Sequence, residues 1–159
     1  MILSTRKLEV SHLIVTWALT GLIWTIQLVH YPSFSFIDVT SFHDFQMFHM
    51  QSISLVVMPL MVSELTLAIV AAHRSAYKGL QAWCLGIVLA IWMSTFFWQM
   101  PLHNQLLLGK NQSIIDELVA GNALRTGLWS LKAVLLSSLA LRDPASMPTT
   151  AYVRKGTTR

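Results

Sequence analysis

Four long apolar stretches alternate with shorter polar segments along the chain. They cover about residues 10–31, 50–72, 79–100 and 121–141. A helix needs about 20 residues to cross the hydrocarbon of a bilayer, and a chain in lipid must pair its own backbone groups, so such spans are helices. The pattern predicts an all-α fold, a four-helix transmembrane bundle, as one domain over residues 1–142. Residues 143–159 are polar and are expected to form a flexible tail.

The composition agrees with a membrane protein. Hydrophobic residues make up 54% of the chain and charged residues 11%, whereas soluble domains carry about 25% charged residues. The surplus apolar surface is expected to face the lipid bilayer, and no nucleic-acid partner is expected. The single cysteine, Cys84, excludes a disulfide or a dithiol redox pair within one chain.

The cationic residues predict the orientation. Eight lie before the first span, between the second and third, or after the fourth: Arg6, Lys7, Arg74, Lys78, Arg142, Arg154, Lys155 and Arg159. The two other connections hold only Lys110. Because cytoplasmic loops are enriched in Lys and Arg, the sequence predicts a multi-pass protein of the cell membrane with both termini in the cytoplasm.

The two outer connections carry signals for helix starts. Thr40 and Ser41 precede Asp44, which is typical of a helix N-terminus, so the second helix is expected to begin near Ser41. Residues 111–119 predict a second, separate short helix capped by Asn111 or Ser113. Together these segments are expected to form a lid over the outer end of the bundle.

Polar residues inside the spans fall on single helical faces. In the fourth span Asn122, Arg125, Trp129 and Lys132 are spaced three, four and three residues apart, which aligns them. Lys132 and Glu64 lie at similar depth, since a helix rises about 1.5 Å per residue. The sequence predicts an ion pair between them, which registers the helices without requiring any chemistry.

Arg125 lies only about one turn below the predicted outer surface, with no carboxylate in a span at that depth. The sequence predicts a polar pocket around it near the outer leaflet, bounded by Gln27, His30, Trp98, Gln99, His103, Asn104, Asn122 and Arg125. His30 and His103 are candidate general bases, and Arg125 is a candidate for stabilising an oxyanion. Two alternatives stay open: Arg125 reaches outward to the headgroups, or these groups form a closed hydrogen-bond network.

Histidines concentrate at the outer end, where His30, His43, His49 and His103 fall. Imidazoles together with the nearby methionines Met47, Met50 and Met100 suit copper, and His30 with His103 could ligate a haem. The sequence has no tight His-x3-His pair for a metal, and His30 and His103 lie at the very ends of their spans, which is shallow for haem ligands. The sequence therefore predicts no metal and no cofactor, with a haem or copper electron carrier as an alternative.

Two segments resemble a family of small four-helix membrane proteins, mostly uncharacterised, that includes anthrone oxygenases. Residues 98–106, WQMPLHNQL, are similar to the family's P-L-x-N-x-x-L signature, with His103 as a departure from its simplest form. Residues 122–129, NALRTGLW, are similar to its N-x-x-R-T-x-x-W segment. The resemblance implies oxygenation of a polycyclic phenolic substrate without an added cofactor. It also implies roles for Asn104, Arg125 and Trp129 in the ligand site.

Three functions therefore remain. The first is an oxygenase-like enzyme with a pocket for a small lipophilic aromatic substrate. The second is a non-enzymatic membrane protein that binds a small ligand or serves as an assembly partner, including as a homo-oligomer. The third is the electron carrier.

Overall fold

The computed structural model describes residues 5–141, so Arg142 and the predicted tail at 143–159 lie outside the described residues. This part of the chain forms four helical rods and contains no strand. Rod α1 is an α-helix over Thr5–Thr25, a π-helix over Ile26–His30, an α-helical turn over Tyr31–Ser33 and a 3-10 turn over Phe34–Phe36. Rod α2 is Phe42–Arg74. Rod α3 joins an α-helix, Lys78–Ser94, through a π-helix, Thr95–Gln99, to an α-helix, Met100–Leu106, and rod α4 is Gln112–Ala140.

The described structure confirms the all-α prediction. Three rods are long and apolar enough to cross a membrane: Arg6–Phe36, Phe42–Arg74 and Lys78–Leu106. Rod α4 is less apolar, because it carries Asn122, Arg125 and Lys132. Those three side chains are nevertheless buried, so α4 turns its polar face into the bundle.

Each rod packs against its neighbours in chain order, and α4 closes the ring against α1. Connections of three to five residues between the rods produce this up-and-down arrangement. We call the end that carries His30, His49 and His103 the histidine end. The opposite end, which carries Arg74 and Lys78, is the basic end.

The rods begin where the sequence predicted, with one correction. Ser41 occupies the N-cap position of α2, and the Asn111 side chain accepts hydrogen bonds from the backbone N–H groups of Ser113 and Ile114 at the start of α4. The separate short helix predicted at 111–119 was wrong, because α4 continues unbroken through Gly121. A helix started by a good cap continues when no proline or competing turn follows.

Prolines explain the two π-helical turns. Pro32 and Pro101 each follow a π-helix by two residues, and neither can donate to the carbonyl four residues before it. The helical turn widens instead. The N–H groups of Tyr31 and Met100 donate hydrogen bonds to the carbonyls of Ile26 and Thr95, five residues earlier in the chain. An extra residue in a turn rotates the side chains beyond it by about 100°. Both turns therefore re-aim residues at the histidine end.

The connections at the histidine end are tied together. Lys110 Nζ donates to the carbonyls of Ser35 and Ile37, each at 2.7 Å, and Gln112 donates to the Ser35 hydroxyl at 2.9 Å. Beneath them Phe34 and Phe42 are fully buried. These contacts close the end of the bundle over the site described next.

Candidate functional site

A cavity of about 220 Å³ lies at the histidine end, between α2 and α3. Its walls are largely apolar and include Ile53, Val57 and Met61. Its mouth is lined by Met58, Phe96 and Met100, which are all exposed on the side of the bundle. Its polar groups come from all four rods: Tyr31, His49, Ser54, Thr95, Gln99, His103 and Arg125. The cavity thus combines a polar interior with an apolar opening on the flank of the bundle.

Two histidines form a direct pair beside the cavity. His30 Nε2 and His49 Nδ1 are 2.7 Å apart, so one of the two nitrogens donates to the other. His49 is 3% exposed, and its Nε2 has no hydrogen-bond partner among the described residues. Phe34 and Phe45 hold the ring of His49, with centroids at 5.0 and 6.4 Å. If His49 Nδ1 donates to His30, the free Nε2 is an acceptor and can take a proton.

The protons on His103 can be assigned from Gln46. The Gln46 Nε2 amide group donates to the His103 carbonyl at 3.1 Å and lies 3.1 Å from His103 Nδ1. A carbonyl only accepts, so this atom of Gln46 is the nitrogen, and Nδ1 of a neutral His103 accepts its second proton. His103 Nε2–H then donates to the Tyr31 hydroxyl at 3.1 Å. The O–H of Tyr31 is left to donate to another acceptor at the cavity.

Arg125 points into the bundle and is 6% exposed, so it does not reach outward to the headgroups. Its Nη1 donates to Asn122 Oδ1 at 3.4 Å, and Asn122 donates to Gln27 at 2.8 Å. The guanidinium also interacts with the Tyr31 hydroxyl. Its Nε has no partner, and no carboxylate within residues 5–141 forms an ion pair with it.

Gln99 completes the polar interior of the cavity. It is 2% exposed, and neither its amide nitrogen nor its amide oxygen has a partner in the described part of the chain. Its amide packs on Gly121 of α4 so closely that a Cβ atom at Gly121 would lie 2.4 Å from Gln99 Nε2. Glycine at this position is what lets the amide lie between α3 and α4.

The predicted ion pair forms part of a second buried cluster, nearer the basic end. Lys132 Nζ contacts Glu64 Oε1 and also reaches Thr16 Oγ1 at 2.9 Å and His12 Nε2 at 3.0 Å. Thr16 donates to the same Glu64 oxygen at 2.7 Å. All four residues are fully buried, and the cluster joins α1, α2 and α4.

The structure separates the predicted pocket residues into two groups. Gln99, His103 and Arg125 line the cavity, and His30 supports it through His49. The others lie elsewhere: Asn122 and Gln27 bond to each other, Trp98 donates to Glu117 at 3.2 Å, Asn104 is exposed, and Trp129 lines a smaller cavity of about 20 Å³. The pocket was predicted within α1, α3 and α4, whereas the cavity faces α2.

Sequence reasoning did not place Tyr31, Gln46 or His49 in the pocket, and it named His49 only among the outer histidines of a possible copper site. The spacing of Gln46 and His49, three residues apart on the first turns of α2, is the signal that would have placed both on one face. Among the described residues no group of three His, Cys, Asp or Glu side chains is arranged to hold a metal. The nitrogens of His30 and His49 face each other at hydrogen-bonding distance instead.

Comparisons of the chain with protein-family models, with curated proteins and with solved structures find no match. The resemblance to the anthrone oxygenases therefore rests on the two short segments, of which Gln99, Met100, His103 and Arg125 line the cavity.

Proposed function

We propose that this membrane protein binds a small lipophilic molecule with an acidic oxygen head group in the cavity at the histidine end. One observation carries the proposal: His49, Gln99 and Arg125 all line the same cavity, and each has a buried polar group without a hydrogen-bond partner, namely Nε2, the amide and Nε. A buried unpaired polar group costs about 1–3 kcal/mol. Placing three around one cavity is costly unless a ligand pairs with them.

Arg125 selects the head group. A buried guanidinium without a carboxylate favours a ligand that brings an anionic oxygen, and the Tyr31 O–H and Gln99 amide add donors beside it. The remaining wall is methionine, aliphatic and aromatic. A cavity of about 150 Å³ holds benzene, so 220 Å³ suits one or two fused rings, with anything larger extending into the mouth.

The ligand reaches the site from the membrane. The histidine end is closed by Lys110, Gln112 and the buried Phe34 and Phe42. The open mouth lies on the flank between α2 and α3, where exposed apolar residues face the lipid. A lipophilic ligand already partitioned into the bilayer enters without crossing water.

The chemistry that this arrangement supports is proton removal. His49 Nε2 takes a proton from the ligand, while Arg125 and the Tyr31 O–H stabilise the oxygen that becomes negative. An anthrone deprotonated in this way is an electron-rich enolate, which combines with one O₂. The peroxide anion formed takes up one proton through His49, and the resulting hydroperoxide loses one water to leave a quinone. This is the oxygenase reaction that the resemblance implied, with no cofactor.

The topology is part of the proposal. Rod α4 forms the fourth span, because the other rods cover its polar face. The distribution of cations puts both termini in the cytoplasm. The histidine end then lies at the outer leaflet of the cell membrane.

Ligand binding is tested with the protein in lipid nanodiscs, with 2-naphthol as the probe and 2-methoxynaphthalene as its neutral counterpart. At a probe concentration about 100 times Kd, binding adds about 2.7 kcal/mol, which raises Tm by about 5–10 °C for a chain of this size. The naphthol is expected to stabilise the protein and the ether is not. Arg125→Gln should abolish the difference.

Gln99 and Gln81 provide a matched pair of variants. Both glutamines lie on α3, both are buried, and both have an unpaired amide oxygen, but only Gln99 lines the cavity. Gln99→Met should remove most of the stabilisation by naphthol, and Gln81→Met should retain it. Equal stabilisation by naphthol and ether, unchanged in Arg125→Gln, would show that the oxygen head group is not recognised.

Turnover is measured separately, as O₂ consumption with anthrone. Consumption that depends on His49 supports the enzyme. Binding of naphthol without any consumption supports the second function, a ligand-binding membrane protein.

A further inference from the structure

The cavity is separated from the aqueous phase at its own end of the bundle. The connections above it are tied by Lys110 and Gln112, and the buried aromatic layer of Phe34 and Phe42 lies beneath them. The mouth faces lipid, which neither supplies nor accepts protons. A ligand that ionises in this cavity therefore needs a route along which its proton reaches water.

The His30–His49 pair fits such a route. His49 lines the cavity, its Nε2 has no hydrogen-bond partner among the described residues, and its Nδ1 lies 2.7 Å from His30 Nε2. His30 is only partly buried, at the last turns of α1. An imidazole can accept a proton on one nitrogen and release one from the other. Two rings in series therefore join the buried side of the site to its surface.

We propose that His30 and His49 form a proton relay between the cavity and the aqueous phase at the histidine end. This inference rests on the proposed binding of an acidic ligand. The ligand O–H passes its proton to His49 Nε2, His49 Nδ1–H passes one to His30 Nε2, and His30 Nδ1–H releases one to water. One proton leaves the ligand and one enters the solvent. The two neutral rings end in their opposite tautomers, and reversal on ligand release restores them.

The surroundings favour movement of the proton outward over its storage. The titratable rings that face the pair are Tyr31 from α1 and His103 from α3. Arg125 from α4 lies behind them and interacts with Tyr31 and His103. Within residues 5–141 no carboxylate forms an ion pair with either ring. An imidazolium at His49, between the imidazoles of His30 and His103, has no counterion other than the ligand anion. A proton taken up by His49 is therefore passed on, and the ligand anion remains with Arg125.

Gln46 and Tyr31 hold His103 outside the relay. Both nitrogens of His103 are occupied, Nδ1 by Gln46 and Nε2 by Tyr31. His49 has one occupied and one free nitrogen, which a relay requires. The two histidines at the cavity thus have different tasks, one positioning Tyr31 and the other carrying protons.

The test measures proton release when 2-naphthol binds. Wild-type protein in nanodiscs is mixed rapidly with naphthol in weak buffer that contains a pH-indicator dye, and the absorbance of bound naphtholate is followed in parallel. About one proton should be released per naphthol bound, at the rate at which naphtholate appears. In His30→Gln, the glutamine keeps a hydrogen bond to His49 but cannot relay a proton. We expect release at least tenfold slower, with naphthol affinity changed less than threefold.

Two comparisons separate a relay from a structural role. His43 is an exposed histidine at the same end, bonded to the Leu107 carbonyl at 2.8 Å, and His43→Gln should release protons at the wild-type rate. Imidazole added to the buffer should restore fast release to His30→Gln, because it substitutes for the missing ring. Release from His30→Gln at the wild-type rate would overturn the relay while leaving ligand binding intact.

Two further outcomes are decisive. If wild-type protein binds naphthol and releases no proton, both the relay and the proposed ionisation of the ligand are wrong. If His30→Gln fails to fold, His30 is blocked instead by ethoxycarbonylation of the folded His43→Gln protein, with the modified site mapped by mass spectrometry. Release that stays fast after this modification refutes the relay, and release slowed at least tenfold supports it.

Discussion

Replacing Lys132 with methionine removes the ammonium from the buried cluster at the basic end and keeps a side chain of similar length. In the wild type the three N–H groups of Lys132 meet three acceptors: Glu64, Thr16 and His12. After the substitution the Glu64 carboxylate keeps the hydrogen bond from Thr16 and the imidazole of His12, whose Nε2 lies 3.2 Å from Oε1. It then lies fully buried, with a hydroxyl and an imidazole beside it in place of the ammonium.

The expected cost follows from this loss of charge balance. Breaking a buried ion pair by removing one partner costs about 3–5 kcal/mol. For a chain of this length each kcal/mol lowers Tm by about 2–4 °C, so Lys132→Met should unfold about 10 °C below the wild type. The double variant Glu64→Met/Lys132→Met leaves no charge unpaired. Because well-packed apolar replacements of a buried pair are often neutral, it should recover most of that difference.

The chain contains its own reporter for this measurement. Cys84 is its only cysteine, and it is fully buried in α3. A dye that fluoresces on reaction with a thiol therefore responds only when the bundle opens, and heating the protein with it in detergent micelles gives Tm. A double-mutant cycle over Glu64 and Lys132 then yields their coupling.

Two results would contradict the reasoning. A Tm for Lys132→Met within about 2 °C of the wild type would show that the pair adds no stability, as for an exposed pair. A double variant at least as unstable as the worse single variant would show that the cluster acts through more than charge balance.

Two further predictions concern the site and the topology. Gly121→Ala places a Cβ atom 2.4 Å from Gln99 Nε2 and should weaken the affinity for naphthol at least threefold. A Cβ atom at Gly127 meets nothing within 4 Å, so Gly127→Ala should leave the affinity unchanged and raise the free energy of unfolding by up to about 1 kcal/mol. Equal responses to naphthol in the two variants would contradict the role of Gln99. A reporter fused after Arg159 should be active only in the cytoplasm, and activity on the other side of the membrane would refute the predicted orientation.

The sequence was sufficient for the rods and for the buried ion pair. Bilayer thickness sets the length of a span, so hydropathy finds the helices without knowledge of their packing. Counting residues from the ends of the spans placed Glu64 and Lys132 at one depth, and depth along a helix is insensitive to small rotations. The direction in which a side chain points around the helix axis is harder to predict. Counting residues gives this direction only while the helix keeps 3.6 residues per turn.

The π-helical turns are where that counting fails. Beyond Thr95–Gln99 the helical face is shifted, so Asn104, expected in the pocket, is exposed. Beyond Ile26–His30 the same shift buries Tyr31. From the sequence, Tyr31 was only the last residue of the first span, and no role was assigned to it. His49 was missed for another reason. The second helix was expected to begin near Ser41, as α2 does, but its membrane span only at about Met50, so His49 fell in the part expected to project beyond the membrane.

The two buried clusters obey the same energetic rule with different outcomes. Near the basic end, Lys132 has an acceptor for each of its N–H groups, and the four residues join three rods. Glu64 Oε2 is unpaired there, yet none of the four residues lines the 220 Å³ cavity. At the histidine end Gln99, His49 and Arg125, which also carry unpaired groups, all line that cavity. Substitutions in the first cluster should therefore lower Tm and preserve the response to naphthol. Substitutions in the second should leave Tm largely unchanged and abolish the response to naphthol. If both sets of variants lost stability and ligand response together, the clusters would form one structural network and the cavity would have no binding role.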